Sequence, residues 1–215
     1  MLSYFESQKR KTMANKLYLY PIWLRIWHMV NALLFLALVL TGLSMQYSPV
    51  DDPFIEFQTV ISVHNIAGIL LILSYVFFLI SNSLTSNGKH YVIKKGFMKK
   101  VIKQGRYYAY GMFKGEKAPY PITKDDKFNP LQKLSYVGVI YFLLPVLMIT
   151  GLALLYPEFI IHKIFGLNGT MLTALLHMLM GFVLTLFLLI HLYFASLSEK
   201  KFANFKSMIT GWHEH

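Results

Sequence analysis

Residues 175–195 read LLHMLMGFVLTLFLLIHLYFA, an apolar run with no charged residue but with two histidines, His177 and His191. A membrane helix needs roughly 20 predominantly apolar residues, and this run reaches that length. Ionisable side chains at membrane depth are costly, so they are read as functional by default. The run therefore predicts a membrane-spanning helix that carries a polar site.

The composition of the whole chain supports a membrane protein. Of its 215 residues, 55% are hydrophobic and 14% are charged, and the mean hydropathy is +0.47. Four runs are long enough to cross a bilayer, at about 22–47, 60–82, 131–156 and 171–196. We expect one all-α integral membrane domain over residues 1–215, a four-transmembrane-helix bundle. The first span lacks the features of a cleaved signal peptide and is expected to be retained.

The chain contains no cysteine, which excludes disulfides, cysteine-ligated clusters and covalently attached haem. Glycine-rich dinucleotide motifs, phosphate-binding loops and hydrolytic triads are also absent from the sequence. No catalytic residue is predicted.

The distribution of basic residues predicts the orientation. Of 21 lysines and arginines, all but Lys163 precede span one, follow span four, lie between spans two and three, or stand at a margin of these spans. The positive-inside rule then predicts that both termini lie in the cytoplasm. We expect the protein to lie in the inner (cytoplasmic) membrane. The net charge of +11 is explained by this topology and by anionic headgroups, and no nucleic-acid partner is expected.

The cytoplasmic loop over 83–130 alternates apolar pairs with lysine pairs in its first half. This pattern predicts an interfacial amphipathic helix at about 91–104. Three prolines after it argue against a continuous helix, and span three is expected to begin near Asn129, with Asn129 as its cap and Pro130 in the first turn. For the four histidines outside the spans, solvated or interfacial positions are expected; they are His90, His162, His213 and His215.

Four histidines remain at membrane depth, two toward each face. His28 and His191 lie near the inner face, and His64 and His177 near the outer face. Fourteen residues of helix rise about 21 Å and return to within about 40° of the starting direction. Span four therefore offers one imidazole to each of two stacked sites.

Paired imidazoles from facing helices are typical of a bis-histidine haem. We therefore predict two haem b groups, with axial pairs His28/His191 and His64/His177. Zinc is the alternative, but it normally takes three or four protein ligands, and none of the spans offers a carboxylate or a thiol. With both axial positions filled by protein, the iron is suited to electron transfer rather than to oxygen activation.

Three glycines are predicted to make room for the macrocycles. Gly68 and Gly181 each follow a histidine by four residues, one turn deeper on the same face. Gly42 follows His28 by fourteen residues and falls on the ligand face of span one. The alternative is that small residues simply pack helices together.

Several motifs spread over all four spans carry a family resemblance. They are RIWH at 25–28, LTGL at 40–43, HNIAG at 64–68, KFNPLQKLSY at 127–136, ITGL at 149–152, and the histidines of span four with Tyr193. With them the chain resembles the b-type cytochrome (gamma) subunits of respiratory formate dehydrogenases, with thiosulfate reductase and nickel-iron hydrogenase cytochrome b subunits as relatives. The resemblance implies the same four haem ligands.

The resemblance also implies a quinone site beside the inner haem. In the family a quinone, menaquinone or ubiquinone, binds near an N-x-x-Q-K stretch and the inner ligand of span four, which here correspond to Asn129, Gln132, Lys133 and His191. Leu131 stands where relatives often have glycine and narrows this pocket. The alternatives are a plain helix cap for Asn129 and an interfacial anchor for Gln132 and Lys133.

Three functions are compared. The first is a membrane anchor and electron-transfer subunit of a respiratory oxidoreductase, which connects the quinone pool with an iron-sulfur or multihaem subunit, and its catalytic subunit, on the extracytoplasmic face. The second is a stand-alone haem b quinol oxidoreductase. The third is a histidine-based proton channel or transporter, against which the lack of acidic residues and of interrupted helices in the spans argues.

Overall fold

A computed structural model describes residues 16–49, 51, 53–164, 166–196 and 202–214. Predictions that concern residues 1–15, Asp52 and His215 lie outside the described residues. The chain divides into two compact units. The span unit comprises Trp27–Gly88 and Ser135–Leu189, and the loop unit comprises the described residues up to Ile26, Lys89–Leu134 and those from Ile190 onward.

The described residues are mostly helical. The α-helices are α1 (Ile22–Tyr47), α2 (Phe57–Leu84), α3 (Phe97–Arg106), α4 (Pro130–Gly138), α5 (Leu144–Leu155), α6 (Gly169–Ser196) and α7 (Ala203–Thr210); the strands are β1 (Lys16–Tyr18), β2 (Lys163–Ile164), β3 (Leu167–Asn168) and β4 (Trp212–Glu214). Short 3₁₀ turns lie at Ser86–Tyr91, Met112–Lys114 and Pro157–Phe159, and wider π turns at Tyr107–Gly111 and Val139–Leu143.

Four helices of the described chain are long and apolar enough to cross a membrane. They are α1, α2, the continuous stretch Pro130–Leu155, and α6. The all-α, four-span membrane fold is therefore confirmed, and each end of a span lies within three residues of its predicted position. Many large side chains on these helices are exposed, such as Leu33, Leu40, Leu73 and Ile149, as is expected for surfaces that face lipid.

A small polar network inside the span unit joins α1 to α2. The indole of Trp27 stacks on Phe78 with ring centroids 4.2 Å apart, and its Nε1 donates to the Ser74 carbonyl at 3.0 Å. Asn31 donates from Nδ2 to the Ser74 hydroxyl at 2.7 Å. Phe78 is fully buried. Hydrogen bonds and one buried ring therefore fix the contact between two otherwise apolar helices.

A π turn in span three lies just before Pro145. In this turn a carbonyl bonds the amide five residues later, as Val139 does with Leu144. The Ile140 carbonyl would need the N–H that proline lacks. The Tyr75 hydroxyl of α2 donates to this carbonyl at 2.9 Å. A side chain from the neighbouring helix thus supplies the hydrogen bond that the Ile140 carbonyl cannot obtain within its own helix.

The terminal segments of the chain pair with one another in the loop unit. Strands β1 and β4 are antiparallel, with Leu17 opposite His213. The amide of Leu19 donates to the Gly211 carbonyl at 2.9 Å. Gly211 has a φ of +87°, and a Cβ there would lie 2.8 Å from the Tyr20 carbonyl oxygen. Glycine is required at this close approach, which holds the two terminal segments together.

The amphipathic helix of the loop is shorter than predicted. Sequence pattern placed it over 91–104, whereas α3 covers Phe97–Arg106. Its N-cap, Gly96, has a φ of +76°, so the chain turns sharply there and a helix cannot run through it. The preceding residues, Ser86–Tyr91, form a separate 3₁₀ turn.

We expect Tyr75→Phe to lower the free energy of unfolding by about 1–3 kcal/mol, because it leaves the Ile140 carbonyl unsatisfied in an apolar surrounding. Thermal unfolding followed by circular dichroism in detergent measures the change. In a Pro145→Ala background the loss should be much smaller, since the new amide at position 145 can serve the same carbonyl. Tyr47→Phe, at an exposed residue, is the control, and equal losses in both backgrounds would contradict the explanation.

Candidate functional site: a pair of histidines held by threonines

His64 and His177 lie close together in the span unit. Their ring centroids are 6.3 Å apart, with an angle of 72° between the planes. Metal–imidazole bonds are about 2 Å long, so this spacing is compatible with one metal ion between the two rings. The structure thus brings together the two histidines that were predicted to pair from their positions along α2 and α6.

Each of these histidines contacts a threonine on another span. His64 Nδ1 lies 2.8 Å from Thr41 Oγ1 of α1, and His177 Nδ1 lies 3.0 Å from Thr150 Oγ1 of α5. Both threonines are buried, with exposed fractions of 9% and 7%. The same contact therefore occurs twice, once on each side of the pair.

The threonines determine which ring nitrogen carries the hydrogen. Thr41 Oγ1 donates to the Ala37 carbonyl at 2.7 Å, and Thr150 Oγ1 donates to the Val146 carbonyl at 2.8 Å. A hydroxyl has one proton, so toward histidine each threonine can only accept. Nδ1 of both histidines must then carry the hydrogen, which leaves the lone pair on Nε2. This tautomer binds a metal through Nε2.

The glycines near the pair fall into two groups. A Cβ added at Gly68 or Gly181 would meet no neighbouring heavy atom within 4 Å, so both positions leave the kind of clearance that a flat macrocycle needs. At Gly42 an added Cβ would lie 3.8 Å from His64 Cε1, and at Gly151 it would lie 3.0 Å from His177 Cε1. Gly151 therefore allows α5 to approach His177 closely.

Sequence reasoning missed three residues of this site: Thr41, Thr150 and Gly151. A signal was present, because a Thr-Gly-Leu tripeptide occurs in both span one and span three. The structure shows that the threonine and glycine of each tripeptide contact one histidine of the pair. Gly42, predicted to pack against haem, lies near the His64 ring, where an added Cβ would be 3.8 Å from Cε1; its packing against haem stays a prediction.

The remaining two predicted ligands belong to different units. His28 lies in α1 within the span unit, and His191 lies in α6 within the loop unit. Both side chains are half-buried. Their pairing stays a prediction.

Asn129 and Gln132, predicted to bind quinone, form a reciprocal cap at the start of α4. The Gln132 amide donates to Asn129 Oδ1 at 3.0 Å, and the Asn129 amide donates to Gln132 Oε1 at 3.2 Å. The predicted cap at Asn129 is therefore confirmed. Asn129 Nδ2 also donates to the Tyr108 hydroxyl at 3.0 Å and retains a second N–H. Lys133 lies one turn into the helix.

His90 is buried, with an exposed fraction of 5%, so the expectation of a solvated or interfacial side chain was wrong. Burial, reinforced by Lys127 and Lys89, lowers the pKa of His90 to about 4. Burial and Lys89 lower the pKa of Lys127 to about 8. The Lys127 ammonium lies 5.7 Å from the Tyr20 ring centre. At neutral pH His90 is therefore uncharged, and an aromatic face helps to hold the cation next to it.

A four-span bundle with paired imidazoles between its helices is the architecture of a membrane b-type cytochrome. The chain belongs to the prokaryotic cytochrome b561 family, which it matches over residues 19–211. It is 37% identical over 202 residues to the protein named "Putative cytochrome YdhU" of Escherichia coli (strain K12), covering 94% of this chain and 76% of that protein. It is thus a membrane electron-transfer protein of cytochrome b type.

The residues of the pair fit the haem b that this family implies. Two neutral imidazoles with Nε2 lone pairs are suitable axial ligands, and Gly68 and Gly181 leave space beside them. Among the described residues, no cluster of three or more His, Cys, Asp or Glu side chains is suited to a metal ion.

We expect Thr41→Val and Thr150→Val to weaken haem retention roughly 10–100-fold each, since the histidine Nδ1–H loses its acceptor and the ring its orientation. Haem content per chain after dilution in detergent, measured by the pyridine haemochrome spectrum, tests this. Thr173→Val is the matched control, because the Thr173 hydroxyl bonds the carbonyl of Gly169 in its own helix and forms no hydrogen bond with a histidine of the described residues. Haem retention that is unchanged in both threonine variants would contradict the assigned role.

Proposed function

We propose that this protein is the di-haem b membrane anchor and electron-transfer subunit of a respiratory oxidoreductase complex. The observation that carries the proposal is the His64/His177 pair, in which Nδ1 of each ring lies within hydrogen-bond distance of a buried threonine hydroxyl. Haem bound there supplies one-electron transfer. His64 and His177 would both be ligands of the haem iron, which would suit it to electron transfer rather than to substrate binding.

A second haem is proposed between His28 and His191. The spacing of fourteen residues between His177 and His191 supports it, since both fall on one face of the continuous helix α6. Two haems at two depths would carry electrons across the bilayer. Each depth then needs its own electron donor or acceptor.

We propose that the protein lies in the inner membrane of the cell, with both termini and the 83–130 loop in the cytoplasm. Two observations support it. Strands β1 and β4 pair, so the two terminal segments lie on the same side, as four spans require. The basic residues concentrate on that side. The His64/His177 pair then lies toward the extracytoplasmic face, where an iron-sulfur or multihaem subunit and its catalytic subunit would dock.

The quinone site is proposed at the start of α4, beside His191. The second N–H of Asn129 Nδ2 and the Gln132 side chain would bind a quinone carbonyl, and Lys133 would favour the negative charge that develops on reduction. Menaquinone and ubiquinone present the same carbonyl chemistry. The reciprocal cap supports this role, because it fixes both side chains in place and limits reorganisation on binding.

The stand-alone quinol oxidoreductase remains the second candidate. The extracytoplasmic connections are short and include only the 3₁₀ turn Pro157–Phe159 and the hairpin of β2 and β3 in the described residues. Such connections offer little surface for catalysis, which favours docking to a partner. Copurification in mild detergent separates the two: a large iron-sulfur or molybdenum-containing companion supports the anchor, and a catalytically active lone chain supports the alternative.

We expect two haem b per chain in the purified protein, with two midpoint potentials in a redox titration. His64→Ala should remove one component and His28→Ala the other, because each variant loses a different axial ligand. His162→Ala, at an exposed residue, is the control. One haem per chain, or loss of the same component in both variants, would refute the two-haem proposal.

For the quinone site, we expect Asn129→Asp to raise the apparent KM for a menaquinol analogue at least severalfold. A carboxylate still caps the helix but has no N–H to donate. Haem content should stay unchanged, and thermal stability should fall less than in a cap-breaking variant, because the cap is kept and only the Nδ2–H bond to the Tyr108 hydroxyl is lost. This separates loss of the donor from loss of the cap. The cap-breaking Asn129→Ala provides the comparison, and unaltered quinol kinetics in both variants would exclude Asn129 from the site.

A further inference from the structure

The loop unit contains a pocket of about 280 Å³ between the start of α3, the segment 119–128 and the start of α4. Its volume lies just below the usual range for small-molecule sites, so it suits a headgroup-sized ligand rather than a dinucleotide. The function proposed above does not involve this pocket as a whole.

Four lysines line the pocket, Lys94, Lys95, Lys100 and Lys133, together with one carboxylate, Asp126. None of the four forms a salt bridge with another described residue; the ion pair of this region is Lys89–Asp125, at 3.1 Å. All four ammonium groups share this one lining, and the Asp126 carboxylate offsets one of their four charges. The pocket therefore holds an excess of positive charge that the described residues do not balance.

Helix α3 adds to this positive potential. Its first residues border the pocket at Phe97, and its N-cap Gly96 supplies no side-chain hydrogen bond. The N-terminal amides of a helix carry a partial positive charge and suit an anionic oxygen. By contrast, the side-chain cap from Asn129 already serves the start of α4.

The remaining walls of the pocket are mainly aromatic side chains and prolines, with one polar residue, Thr123. Phe97, Tyr120 and Phe128 line it together with prolines on either side of Tyr120. The Lys100 and Lys103 ammonium groups lie 6.0 and 5.8 Å from the Tyr120 ring centre, so the aromatic face helps to position them. A ligand with an anionic head and an apolar body would match both kinds of wall.

We propose that this pocket binds a phosphate group, carried either by an anionic phospholipid headgroup or by free phosphate. Phosphate matches several ammonium groups, for which lysine acts as a point charge. The lipid source fits the outer face of α3, where Met98 and Ile102 are exposed between lysines, as in a helix that lies in the headgroup layer. Quinone is uncharged in its oxidised form, so four lysines around one pocket match an anionic phosphate better than a quinone.

The test uses the full haem-loaded chain in mild detergent. Three probes are titrated and followed by phosphorus NMR line broadening: dihexanoylphosphatidylglycerol, dihexanoylphosphatidylcholine and inorganic phosphate. We expect the glycerol lipid to bind more tightly than the choline lipid. Lys94→Gln/Lys100→Gln should weaken it roughly thirtyfold, from about 1 kcal/mol for each lysine near an anionic surface.

The matched control is Lys99→Gln/Lys114→Gln, which removes the same charge from exposed lysines outside the pocket lining, and it should retain the affinity within about twofold. Lys94→Arg/Lys100→Arg keeps the charge and should bind like the wild type. Haem spectra and thermal midpoints of all variants confirm that they are folded.

The outcomes separate the two sources and decide the proposal. Tight binding of inorganic phosphate that displaces the glycerol lipid assigns the pocket to free phosphate, whereas binding of the lipid alone assigns it to the headgroup. The proposal is overturned if neither anionic probe binds, if the choline lipid binds equally well, or if the control variant loses as much affinity as the pocket variant.

Discussion

The hydrogen bond from a histidine Nδ1 to a threonine hydroxyl that already donates to its own helix is the constraint on which the site depends. In an apolar bundle each imidazole needs a hydrogen-bond partner that fixes its tautomer and its orientation. Thr41 and Thr150 settle both, because a helix carbonyl takes the hydroxyl proton. Two threonines that donate to carbonyls of their own helices thus orient His64 and His177. Such contacts are typical of histidines that bind a metal.

The fold could be predicted from the sequence because its determinants are local and one-dimensional. Hydropathy locates four spans, and the spacing of histidines along them gives their depth. The same reasoning could not identify Thr41 or Thr150, since a threonine in an apolar span usually satisfies itself by bonding its own helix. The repeated Thr-Gly-Leu tripeptide marks both positions, and the packing of α1 against α2, and of α5 against α6, shows that each hydroxyl oxygen also accepts a hydrogen bond from a histidine.

Other differences have equally definite causes. The start of α3 depended on the positive φ of Gly96, which an apolar pattern does not reveal. His90 was judged by its position in a lysine-rich loop, yet it is buried against Phe128. The cap at Asn129 was predicted from the sequence, but the return bond from the Asn129 amide to Gln132 Oε1 was not, because Gln132 was predicted as a quinone-binding residue or an interfacial anchor.

The π turn in span three has a consequence for how this segment is compared with other helices. A π turn holds one more residue than a regular α-helical turn, and each residue of a helix advances its direction by about 100°. A single helical wheel drawn through the whole of Pro130–Leu155 is therefore out of phase by about one residue beyond Leu143. On such a wheel Thr150, which bonds His177 directly, would be displaced by about 100° relative to the first half of the span. The two halves of this span need separate wheels, joined at the carbonyl that Tyr75 holds.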